Sequence, residues 1–191
     1  MDILGKLFGG TEKIKVMRLF VLNPDMALDL KTVAKRSKIS PAAARRETAR
    51  LRQLGLIKKA AGKKSRGWQL NLSFPFLNNL RGLFRVDLVT RQREITDRFA
   101  HCGKIKLLII AGLFIQNHDS RADLLLVGDK LKRGAVERAI KMIEAEVGRE
   151  LVYAILDTAD FMYRLNAYDK FIRDILDYPH EKIIDRLGLN K

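Results

Sequence analysis

Between Lys13 and Leu22 the apolar residues Ile14, Met17, Leu19 and Phe20 or Val21 recur at near-helical spacing, which predicts a first helix. Asn23-Pro24-Asp25 ends it, because proline lacks an amide hydrogen and restricts the residue before it. Asp29 is suited to cap a second helix, Leu30 to Ser37, with Leu30, Val33 and Ala34 turned inward. After the short turn Lys38-Ile39, Ser40-Pro41 joins a hydroxyl N-cap to a proline at the first helical position. The third helix then runs to about Leu54, with Gly55 as its stop. Ala44, Thr48 and Leu51 share one face and should pack inward, leaving Ala42, Ala43, Arg45, Arg46, Ala49 and Arg50 outside. Leu56-Ile57 opens a strand, Lys58 to Gly67 reads as a loop, and Trp68 to Leu72 alternates as the returning strand of a β-hairpin.

The pattern changes after that hairpin. Arg85 to Ala100 suits a connecting helix, with Leu88, Ile95 and Phe99 on one side. Lys104 to Phe114 reads as a buried strand, Gln116 to Ala122 as a loop, and Asp123 to Val127 as a second strand. Arg133 to Val147 is predicted helical through Val136, Ile140, Ile143 and Val147, and Leu151 to Leu156 forms a third strand. The tail, Asp160 to Leu187, is predicted helical in two pieces, broken at Tyr178-Pro179.

Charge divides the 191 residues the same way. Residues 1–72 hold 17 Lys and Arg against 5 Asp and Glu, a net +12, whereas residues 73–191 hold 20 against 17, a net +3. A positive field confined to one end is the footprint of a polyanion binder, although a solvated basic surface would give the same totals. No run of about 18 apolar residues predicts a membrane span, and Met1 to Gly10 lacks the layout of a secretion signal. The single cysteine, Cys102, excludes an internal disulfide and fits a reducing, cytoplasmic setting as a structural thiol.

Two helices joined by a short turn, the second rich in arginine, form a helix-turn-helix pattern, and the hairpin behind it reads as a wing. Its predicted duplex contacts are Ser40, Ala42, Ala43, Arg45, Arg46 and Arg50 on the helix, with Lys58, Lys59, Lys63, Lys64 and Arg66 in the wing. Arg52 belongs to the same basic face, and Trp68 is read as packed rather than stacked on a base. The stretch Ala44 to Ile57, an arginine-rich helix ending in Leu51-Arg52-Gln53-Leu54-Gly55-Leu56-Ile57, resembles bacterial and archaeal winged-helix regulators of the ArsR-like type. Leu70-Asn71-Leu72-Ser73-Phe74-Pro75 resembles the linker of one subgroup, which leads into a long helix. This resemblance covers about residues 13–85 and implies duplex DNA as the partner, often with a second copy of the chain.

The β-loop-β-α-β order of residues 104–187 resembles the minimal nucleotidyltransferase domain. That family has Gly-Ser after its first strand, an Asp-x-Asp pair on the second, and a third carboxylate later, to hold two divalent ions at the reacting phosphates. Gly112 and Asp123 stand at matching positions, Glu150 is the acidic residue near the third, and Leu113 and Arg121 replace the serine and the first aspartate. A cation at Arg121 repels the ion that an aspartate would bind, so no catalytic residue, metal or cofactor is expected. His118 beside Asp119 is a weaker acid-base motif, with no nucleophile near it in sequence.

The expected fold class is therefore α+β. A winged helix-turn-helix at residues 1–84 precedes a small nucleotidyltransferase-like α/β domain with C-terminal helices at residues 85–191. The expected function is DNA-binding transcription regulation, with the second domain serving for sensing or dimerisation. Double-stranded DNA is the expected partner, a homodimer and a nucleotide or protein effector are left open, and no membrane is involved. The alternatives are an active nucleotidyltransferase that modifies a protein or RNA, and a non-catalytic antitoxin or partner-binding protein using Asp169, Asp174 and Asp177.

Overall fold

The computed structural model describes residues 3–61, 67–90, 92–115, 117 and 119–189, with the backbone alone at 85–90, 92 and 93. Helices and strands are mixed, with two small sheets among the described residues. Contacts divide the chain into two compact units, Met1–Asp87 with Lys141–Glu150, and Leu88–Ile140 with Leu151–Lys191.

The first unit begins with α1 (Ile3–Leu7), α2 (Thr11–Val21), α3 (Leu30–Ser37) and α4 (Pro41–Gln53). Asp29 caps α3 by accepting the Thr32 amide at 2.7 Å, and Ser40 caps α4 by accepting the Ala43 amide at 3.1 Å. Between them Lys38 adopts φ 51°, a left-handed conformation that reverses the chain in a short turn. Strands β1 (Ile57–Lys59) and β2 (Trp68–Leu70) pair antiparallel, with Ile57 opposite Leu70. Leu28 extends this ribbon by exchanging two 2.9 Å hydrogen bonds with Trp68. Ile14, Met17 and Phe20 of α2, Val33 of α3, Ala44 and Leu51 of α4, and Leu56 and Leu70 near the strands form one buried cluster.

Helix α5 (Leu77–Thr90) starts well before the expected Arg85. Leu77 and Phe84 both belong to the first unit's core, and burying them offsets the weak helix preference of Asn78-Asn79. Helix α6 (Gln92–Arg98) follows within the span expected to be a connecting helix, and Arg91 between the two lies outside the described residues. Helix α1 had no sequence signal beyond buried Leu4, being too short for a periodic pattern. Lys141–Glu150 also belongs to this unit: Arg18 Nη1 donates to the Glu146 carbonyl at 2.6 Å. Gly148, at φ +77°, approaches so closely that an added Cβ would lie 2.8 Å from Arg18.

The second unit contains β3 (Lys104–Ile110), β4 (Leu124–Asp129), β5 (Tyr153–Leu156) and β6 (Glu181–Asp185), in sheet order β5-β4-β3-β6. β3 runs antiparallel to β4 and β6, and β4 runs parallel to β5 after the crossover that contains α7 (Arg133–Val147). Leu107, Ile109, Leu125 and Val127 pack with Phe161 of α8 (Thr158–Asn166) and Ile172 and Ile175 of α9 (Lys170–Asp177). The expected helix after Pro179 is instead β6, and the expected β3 strand stops at Ile110. Residues 182–184, Lys-Ile-Ile, gain more by completing the hydrogen bonding of β3 than by forming a short isolated helix. Cys102 is buried, and desolvation pushes its thiol pKa above the ordinary value, which suits a structural thiol. Among the described residues no helix is long and apolar enough to cross a membrane.

Candidate nucleic-acid interface

At about 3.6 residues per turn, α4 turns Ala43, Ala44, Glu47, Thr48 and Leu51 into the first unit. Ala42, Ala49 and Gln53 run down the middle of the outer face, flanked by Arg45 and Arg52 on one side and Arg46 and Arg50 on the other. Contacts identify the two flanks. The Arg52 guanidinium lies 5.5 Å over the Trp68 ring, on the hairpin side. Arg46 Nη2 reaches Glu12 at the start of α2 at 2.6 Å. Trp68 is half-buried against the core, so its packing leaves one face for this cation.

The expected outward position of Ala43 is corrected: it is 2% exposed. The inner face of α4 is wider than its apolar residues suggested, because it includes Glu47. That carboxylate is 3% exposed and accepts from Arg46 Nε at 2.8 Å and Arg50 Nη1 at 2.9 Å. With a third contact from Arg50 Nη1 to the other oxygen at 3.2 Å, these charge-assisted bonds stabilise an anion that would be costly to bury alone. Glu47's hydrogen bond is also the largest cause raising the Arg46 guanidinium above its ordinary pKa. Sequence reasoning missed Glu47 as a site residue; the i,i+3 spacing to Arg50 was the available signal.

The arginines expected to act alike therefore differ. Arg46 and Arg50 are held by Glu47, and Arg46 also by Glu12. Arg45, Lys58 and Lys59 are exposed, and their side chains make no hydrogen bond or ion pair with another described residue. Ser40 is exposed, but its hydroxyl oxygen accepts the capping bond of α4. Lys63, Lys64 and Arg66, with Gly62 of the same loop, lie outside the described residues. An open hollow of about 430 Å³ lies between the start of α2 and α4, lined by Gly9, Gly10, Glu12, Arg46, Glu47 and Arg50 among others.

The carboxylate corner of the second unit is arranged differently. Gly112 turns the chain after β3 at φ +50°, where an added side chain would run into the Asp123 carboxylate. Asp123 Oδ1 accepts the Leu113 amide at 2.7 Å, and Oδ2 accepts the Val152 amide at 2.9 Å. Arg121 pairs instead with Asp174 of α9 at 2.9 Å. Glu150 is grouped with the first unit and lies 3.7 Å from Arg36. His118 lies outside the described residues, and the Asp119 amide bonds Asn117 Oδ1 at 3.0 Å. Among the described residues no group of three His, Cys, Asp or Glu is arranged to hold a metal ion. At the position that the nucleotidyltransferase resemblance would give to a first metal-binding aspartate stands a cation, Arg121, and both oxygens of Asp123 accept backbone amides, which fits two divalent ions poorly. No protein-family model matches the chain, and neither a curated protein nor a solved structure matches it.

Proposed function

We propose that this protein binds double-stranded DNA through its first unit, acting as a winged helix-turn-helix module, and that it regulates transcription in the cytoplasm. The observation that carries this reading is the outer face of α4, where a midline of Ala42, Ala49 and, at its C-terminal end, Gln53 runs between two arginine flanks. Small residues at the centre permit close approach to a major-groove floor, while guanidinium groups on either side suit its phosphate walls and guanine edges. Arg45, exposed and unpaired among the described residues, is the strongest candidate for reading a base. Lys58 and Lys59, also exposed at the hairpin, suit backbone contact, with Lys63, Lys64 and Arg66 of the adjoining loop as further candidates. The second unit, with its nucleotidyltransferase-like resemblance, serves sensing or dimerisation in this proposal. Its Asp123 hydrogen bonds favour that role over nucleotide transfer.

The test is selection of bound fragments from random duplexes by the whole chain, followed by affinity against salt. A recovered motif with affinity falling steeply in salt is expected. Replacing Lys58 and Lys59 together by Gln should reduce the log–log salt slope by about 2. Affinity that barely changes between low and moderate salt would overturn the proposal.

A further inference from the structure

The hollow beside α4 is bordered by cations that the free protein already neutralises from within. Arg46 donates through Nε to buried Glu47 and through Nη2 to Glu12, two carboxylates in different settings. Both line the hollow, but the Glu47 side chain is 3% exposed, whereas the Glu12 side chain is 45% exposed. Arg50 engages Glu47 through Nη1, and its other nitrogens have no partner among the described residues. One buried carboxylate thus holds both guanidinium groups, and one exposed carboxylate occupies a further N–H of Arg46.

We propose that this hollow is a phosphate subsite for the DNA backbone, with Glu12 holding the phosphate's place on Arg46 until a duplex arrives. The inference rests on the DNA-binding reading and adds a defined contact to it. A phosphodiester oxygen has the charge and acceptor geometry to replace the Glu12 carboxylate, while Glu47 keeps its hold on both arginines. Displaced Glu12 takes up a cation from solution as the phosphate releases one. Arg46 therefore adds little to the salt dependence of the natural chain. Glu12 lowers affinity, and Glu47 is a positioning residue that raises it.

The experiment measures duplex affinity of the full chain across salt for the natural protein, Glu12→Gln, Arg46→Gln and the double variant. Glu12→Gln removes an exposed ion pair and should tighten binding about two- to fivefold. It should also steepen the salt slope by about 1. In the Arg46→Gln background the same change should do nothing, because Glu12 acts through Arg46. An equal gain in both backgrounds would reduce Glu12 to a distant negative charge and overturn the subsite. No gain in either would overturn it too. Loss of duplex binding by the natural chain itself would instead defeat the DNA-binding reading. Glu47→Gln should weaken binding with an unchanged salt slope and rescue by Glu47→Asp incomplete; thermal unfolding checks that these chains are folded.

Discussion

Arg45 on α4 and Asp123 ahead of β4 are both charged residues singled out by motif, yet their surroundings are opposite. The Arg45 side chain extends from a capped helix with no partner among the described residues. Asp123 spends both oxygens on amides of its own unit, at Leu113 and Val152. The first arrangement keeps hydrogen-bonding capacity for something outside the chain. The second uses that capacity to fasten a loop and a strand approach together. Charge type and motif position do not separate these cases, whereas partner accounting does.

The largest expected effect tests the fastened side. Asp123→Ala leaves two amides without their acceptor and should destabilise the second unit by roughly 2–3 kcal/mol, read by urea unfolding of the whole chain. Magnesium should leave the unfolding midpoint of the natural protein unmoved. A large magnesium-dependent rise, or nucleotide transfer abolished by Asp123→Asn, would turn Asp123 back into a ligand and erase the contrast. Next in size is the free side. Arg45→Ala should weaken duplex binding about tenfold, within the usual 1–3 kcal/mol of a base-reading arginine, and leave the unfolding midpoint unchanged. An unfolding shift without an affinity loss would make Arg45 structural.

The smallest effect concerns a helix end. Hydrogen bonds from the Thr32 hydroxyl, then its amide, hold the Asp29 carboxyl below its ordinary value of 3.8. Its stabilising contribution is therefore full above the unfolded pKa and fades as pH falls through the lower folded value. Carboxyl NMR titration should find Asp29 below 3.8, and Asp29→Asn should slightly flatten acid unfolding while keeping the cap. An ordinary titration midpoint would show that the Thr32 bonds do not persist in solution.

Elements with strong local punctuation were legible in the sequence. Asp29 and Ser40-Pro41 fixed the starts of α3 and α4, and the apolar spacing of Val136, Ile140 and Ile143 marked α7. Elements whose stability comes from distant partners were misread. β6 forms against β3, and the start of α5 is anchored by Leu77 and Phe84 in the first core, neither of which a local window registers, although the linker resemblance at Leu70 to Pro75 implied a long helix after it. The same limit applies to the candidate interface. The basic helix was visible, but the burial of Ala43 and the grip of Glu47 on two arginines depend on which side meets α2.

The outer edge of β3 is closed by β6, which is the final strand in chain order. On the ribosome, β3, whose last four residues are Leu-Leu-Ile-Ile, is therefore made long before β6. Until residues 181–185 emerge, its open backbone is available to neighbouring nascent chains, so a chaperone that shields it during synthesis would favour yield over aggregation.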